Sequence, residues 1–176
     1  KCIKMEDKRI QKTKQKLRET FTQMLQTKTF DQITVTELCE AAKMSRITFY
    51  AHYNDKYDLL EALMEQMLEA AQADFEALQK QNNPTRDSQK TYNNILDSIL
   101  NLFSVYKDLL KQASQQRNPY LYYSFYQRIY RMVERRIEEA RVHHQLAPQL
   151  ASRKFSSFIC TGLWAYINEC NHEQND

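Results

Sequence analysis

"SRITFYAHYNDK", residues 45–56, follows directly on "TVTELCEAAKM", residues 34–44. Two short segments therefore stand back to back, each opening on a hydroxyl. Thr34 and Glu37 stand in the T-x-x-E relation of a capping box, which predicts a helix start there. Val35, Leu38, Cys39 and Ala42 give that helix a narrow apolar face, and it should end near Lys43–Met44 without a glycine. Ser45 suits the cap of the next helix, its hydroxyl accepting from the backbone two or three residues on. Phe49 and Tyr53 are four apart and share a ridge that should pin this helix to its predecessors. Arg46 and Tyr50 form the neighbouring ridge, with Ile47 and Ala51 beyond. Two helices joined by so short a turn make the helix-turn-helix pattern. In that pattern the first helix braces the second so that the second's bare face can enter a DNA major groove.

Working outward, a first helix is predicted from about Asp7 to Thr27, with Ile10, Leu17, Phe21, Met24 and Leu25 on one stripe. "TKTFDQI", residues 27–33, breaks the pattern, and Phe30 and Ile33 should plug the gap. Asn54 or Asp55 is positioned to cap a long helix over 56–81, with Leu59, Leu60, Leu63, Met64, Met67, Leu68 and Phe75 as its apolar side. "QNNPTRDSQ", residues 81–89, is a loop, because Pro84 forbids a continuing helix. Further helices are predicted to about Tyr106, through Leu109 and Leu110, over 120–144, and from about Gln149 to Cys170. "SQQRNP" (114–119) and "QLAP" (145–148) separate the last three.

One glycine and three prolines in 176 residues leave too few turn residues for a strand-rich fold, which argues for an all-α protein. No apolar run approaches the about 20 residues of a membrane span, and no signal peptide is evident. The charge is uneven: the first 18 residues hold 8 basic and 2 acidic groups, a pointer to nucleic acid only in combination with the motif behind them. Cys2, Cys39, Cys160 and Cys170 form no CxxC pair and no cluster with metal-ligand spacing, so neither metal nor cofactor is expected. Reduced thiols in a cytoplasmic setting are the plain reading; a redox sensor at Cys160 or Cys170 needs a lowered thiol pKa. A single glycine excludes a P-loop or a dinucleotide-binding turn. The adjacent His143 and His144 diverge on a helix, which suits neither a metal nor a triad. The chain does not read as an enzyme.

"ITVTELCEAAKMSRITFYAHYNDKYDLLEAL", residues 33–63, resembles the N-terminal DNA-binding segment of TetR-family transcriptional regulators. "FICTGLWAYINEC", residues 158–170, is similar to the last helix of one subset of that family. The resemblance implies an N-terminal three-helix head over 1–54 and a helical ligand-binding and dimerisation domain over 55–176, with helix 56–81 linking the two. It places Thr36, Ser45, Arg46, Ile47, Thr48, Tyr50, Ala51 and His52 at DNA-facing positions and Lys56 at a phosphate. Arg46 suits bidentate pairing with guanine, whereas Tyr50 and Lys56 suit phosphates. Two departures stand out: Lys43 occupies the turn where the family usually has glycine, and Ile47 replaces a commonly small residue.

The implied function is a repressor that binds a palindromic operator as a homodimer and responds to a small-molecule effector. Helices 120–144 and 149–171 would form the dimer seam as a four-helix bundle. Gly162 inside the last helix lowers its propensity, and close helix approach is one reason to tolerate it. Met64, Met67, Phe103, Tyr106, Tyr123, Tyr126 and Trp164 are candidates for an effector pocket, although apolar helix stripes more often simply pack. The alternative is a TetR-fold co-activator or adaptor that works through protein contacts and does not read DNA.

Overall fold

In the computed structural model of the chain the described residues are 8–113, 118–142 and 152–172. Among them no strand occurs, and eight helices follow in order: α1 (Lys8–Met24), α2 (Val35–Ala42), α3 (Arg46–Tyr50), α4 (Lys56–Asn82), α5 (Ser88–Val105), α6 (Lys107–Gln112), α7 (Pro119–Val142) and α8 (Ser152–His172). The chain divides into two compact units between Glu65 and Gln66, within α4. No described helix is long and apolar enough to cross a membrane. Residues 1–7, much of the "SQQRNP" loop, the His143–His144 pair and "QLAP" lie outside the described residues.

In the first unit, Leu17 and Phe21 of α1, Phe30 and Ile33 of the following turn, Leu38, Phe49 and Leu59 are fully buried. Phe30 meets Phe21 edge to face with ring centroids 6.1 Å apart, so it fills the gap as its position suggests. The capping box at α2 forms: the Glu37 N–H donates to Thr34 Oγ1 at 3.2 Å and the Thr34 N–H to Glu37 Oε2 at 3.2 Å. The helix ends on Lys43, whose backbone is left-handed at φ 53°, ψ 49°. Its N–H donates to Glu40 O and that of Met44 to Cys39 O. This is the closure that glycine makes without strain, and a side chain there costs about 1–2 kcal/mol.

Ser45 caps α3 as expected, with Thr48 N–H donating to its Oγ at 3.1 Å. α3 is only five residues long. Ala51 and His52 fall in the turn beyond it, where the His52 N–H tightens back onto Phe49 O. Of the two possible caps for α4, Asp55 is the one used: its Oδ1 accepts from the N–H groups of Tyr57 and Asp58, both at 2.8 Å. Asn54 instead donates its N–H to Asp58 Oδ2 at 2.9 Å.

In the second unit, Leu121, Phe125, Ile129, Val133 and Ile137 repeat every fourth residue along α7 and are all buried. α7 packs against α8 and α5. Trp164 of α8 meets Tyr122 at 4.9 Å and Phe103 at 6.5 Å, both edge to face. The joint between α4 and α5 is polar, with Asn83, Thr91 and Asn94 buried. Asn83 donates to Gln79 Oε1 at 2.8 Å and accepts the Asp87 N–H at 2.7 Å. Asn82 and Asn94 exchange amide hydrogen bonds of 3.0 and 2.9 Å. Each group has a partner, as burial requires. Pro84 stops α4, and Arg86 takes a left-handed φ of 55° before Asp87 caps α5.

Candidate nucleic-acid interface

α3 is held from behind and bare in front. Phe49 is fully buried, Tyr53 nearly so, and their rings lie 5.8 Å apart. Burial pushes the Tyr53 phenol up against the opposing pull of Arg18, whose Nη1 donates to the Tyr53 hydroxyl at 3.3 Å. Arg18 Nε is buried with no hydrogen-bond partner among the described residues. On the other side, Ile47 is 84% and Tyr50 49% exposed. The Arg46 guanidinium, also exposed, stands 5.9 Å from the centre of the Tyr50 ring, and that ring rests edge-on against Phe49 at 5.3 Å. Thr36 and Ala51 are exposed, and Thr48 and His52 half-buried.

The hydroxyls of Ser45 and Thr48 lie 2.9 Å apart, so one donates to the other at the start of α3 and the second O–H stays available to an outside acceptor. Cys39 is buried beneath, its thiol pushed up by burial. Lys28, absent from the sequence-based set, reaches Glu37 at 2.8 Å and ties the turn after α1 to α2. Nothing local signals this pair, because its members are nine residues apart across a turn.

Lys56, expected at a phosphate, makes a set of contacts within the chain. Its ammonium donates to the carbonyl oxygens of Phe30 at 3.0 Å, Asp31 at 3.2 Å and Ile33 at 3.0 Å. It also sits 4.7 Å from the centre of the Phe30 ring. All three N–H bonds of the ammonium are thus committed inside the chain. The residue anchors the turn before α2.

None of the seven residues expected to line an effector pocket lines either of the two clefts described below. Met64, Met67, Phe103 and Trp164 are buried in the cores of their units. Tyr126 stacks between Tyr122 and Tyr130 along α7, Tyr106 is half-buried between α5 and α6, and Tyr123 is 64% exposed. The stripes pack as core, apart from one loose end: Trp164 Nε1 is buried without a hydrogen-bond partner among the described residues. Two clefts open elsewhere in the second unit. One, of about 560 Å³, lies against α4, α5 and α7 and is lined by charged and amide groups. The other, of about 680 Å³, runs between α5 and α8 and is largely apolar. Cys160 is buried in α8 with its thiol pushed up to about 12 by burial, which removes it as a redox sensor. The Cys170 side chain lies outside the described residues. Among the described residues no cluster of His, Cys, Asp or Glu is placed to hold a metal ion.

A capped helix braced by an aromatic pair, following a capping-box helix across a left-handed turn, defines a helix-turn-helix head of the TetR type. Residues 21–63 match the family described as bacterial regulatory proteins, tetR family, a match that covers the N-terminal head and the start of α4. The fold extends beyond that domain. The solved structure of the dihydroxyacetone kinase operon activator DhaS is similar at a TM-score of 0.57 and 17% identity, over 92% of this chain and 95% of that one. The regulatory protein TetR from Rhodobacter sphaeroides is similar at 0.60 and 14% identity, over 90% and 88%. At such identities these likenesses establish the fold alone. No curated protein matches the chain.

Proposed function

We propose that the chain is a cytoplasmic transcriptional repressor that binds a palindromic operator as a homodimer and is modulated by a small-molecule effector. The observation that carries this reading is the uncovered outer face of α3, with Ile47 almost fully exposed between Arg46 and Tyr50. A bare, braced helix of that kind suits a major groove. Arg46 reads guanine, Tyr50 holds a phosphate and Ile47 presses on a thymine methyl, with Thr36, Ser45, Thr48, Ala51 and His52 around them. Residues 1–54 form the reading head and 55–176 the regulatory body.

Self-association is supported by the apolar strip along the cleft between α5 and α8. Phe158 and Tyr166 are 75% and 59% exposed, with Leu96 and Leu100 facing the same cleft. Exposed apolar side chains grouped along one cleft favour a contact there. The strip adds α5 to the two helices expected from the sequence.

A salt series on duplex DNA from upstream of the protein's own gene tests the reading. The logarithm of affinity should fall linearly with the logarithm of salt, with a slope near about −0.9 per phosphate contact. The second reading, a co-activator or adaptor that works through protein contacts and does not read DNA, is favoured by one observation. One O–H of the Ser45–Thr48 pair and the Lys56 ammonium are already engaged within the chain. Absent or salt-insensitive binding selects that reading.

A further inference from the structure

The cleft of about 560 Å³ in the second unit is charged asymmetrically. One wall is self-compensated. Arg136 lies over the Phe75 ring at 5.1 Å and reaches Glu139 at 2.8 Å and Glu76 at 3.3 Å, with its side chain only 16% exposed. Glu139 also accepts from Arg135 at 2.9 Å. Burial pushes the Glu139 carboxyl up, but the bonds and charges of the two arginines outweigh it and hold the group below its ordinary value.

Two further lining cations, Lys80 and Arg86, are not compensated. Lys80 stands four residues after Glu76, the favourable order for an ion pair on a helix. Glu76 nevertheless turns to Arg136 and Gln72. Among the described residues the side chains of Lys80 and Arg86 make no ion pair, and both are exposed. The lining therefore holds three cations against two carboxylates, with the excess at Lys80 and Arg86. Arg86 carries that charge on a left-handed backbone, φ 55°, a strain that glycine would not feel. The polar lining residues Asn83 and Thr91 are buried and bonded to Gln79 and Asp87, so selection there falls to Lys80 and Arg86.

We propose that this cleft binds a small organic oxyanion, a carboxylate or phosphate ester with a short apolar body. Lys80 and Arg86 hold the charged end, Arg86 through its planar fork, and Phe75 and Pro84 face the body. The volume lies in the range of small-molecule sites. Binding stands by itself; its regulatory meaning rests on the effector-controlled function proposed above.

Calorimetric titration of the full chain tests the assignment, with benzoate and phenyl phosphate as probes and benzamide and benzylamine as neutral and cationic isosteres. At least one oxyanion should bind tenfold or more tighter than benzamide, and the tighter of the two identifies the source. Lys80→Gln/Arg86→Gln should weaken that binding at least tenfold. Arg86→Gly should also weaken it while raising the melting temperature, which separates loss of the site from loss of the fold. Equal affinity for oxyanions and benzamide, or oxyanion affinity unchanged in the double variant, overturns the proposal. Operator affinity measured with the bound probe present then separates the two readings. Binding that leaves it unchanged upholds the cleft and removes its regulatory role. An effector that acts equally on the double variant overturns this location and upholds effector control.

Discussion

The ammonium of Lys56 lies 3.0 Å from the carbonyl oxygen of Phe30 and 4.7 Å from the centre of the same residue's ring. One side chain thereby closes the turn between α1 and α2 on its main chain and its aromatic core together. Lys56→Ala should destabilise the protein by roughly 2 kcal/mol or more, since hydrogen bonds to a charged group contribute about 1.5–3 kcal/mol and three carbonyls lose their donor. Denaturant unfolding measures this. A lysine that served only a phosphate would leave the midpoint unchanged.

Lys43→Gly should stabilise the head. The left-handed backbone at Lys43 disfavours any side chain by about 1–2 kcal/mol, and part of that returns as entropy of the unfolded glycine chain. The net expectation is about 1 kcal/mol, a rise in melting temperature of roughly 2–4 °C. A fall would mean that the Lys43 side chain makes a compensating contact.

Glu37 links the head's stability to acid. The hydrogen bond from Lys28, and after it those from Thr34, hold its carboxyl below the ordinary value of 4.5. A carboxyl lowered in the folded state stabilises fully above its unfolded value and loses that contribution as pH falls through the folded one. Glu37→Gln should therefore flatten the decline of the unfolding midpoint below about pH 4.5. An acid limb identical to the parent's would assign the decline to other carboxylates.

Arg46→Ala should relax sequence preference more than it weakens binding overall. Loss of a bidentate guanine contact removes about 1–3 kcal/mol of discrimination at one operator position. Affinities for operators changed base by base measure it. Equal losses at every sequence would place Arg46 on a phosphate.

Gly162 gives a test of the α5–α8 strip. A Cβ built there meets nothing within 4 Å, so no close approach within the described residues requires glycine. In the isolated chain Gly162→Ala should stabilise by about 1 kcal/mol through helix propensity. If the strip is the seam between two copies, the same change should weaken their association, read by sedimentation. Unaltered self-association would move the seam elsewhere.

What the sequence disclosed was local. The Thr34–Glu37 box, the Ser45 cap and the Phe49–Tyr53 pair each lie within four residues, where helical geometry leaves few alternatives. The engagement of Lys56 was hidden because its partners are main-chain carbonyls 23 to 26 residues away, which carry no side-chain signature. The charged cleft was hidden for a related reason: Arg136 and Glu76 are 60 residues apart. Met64 and Trp164 were offered for a pocket on hydrophobic character alone, which does not distinguish a cavity wall from a filled core. The end of α3 carries no sequence signal of its own: Ala51 keeps a right-handed backbone although the hydrogen-bond pattern has tightened at His52.

Five residues of α3 span about 7.5 Å at 1.5 Å per residue, little more than two base-pair steps of duplex. On the proposed reading, one such rod samples too short a word to stand out in a genome. Most of an operator's information would then lie in the spacing between two copies of that word, so inserting a single base pair at its centre should disrupt recognition more than changing any one letter.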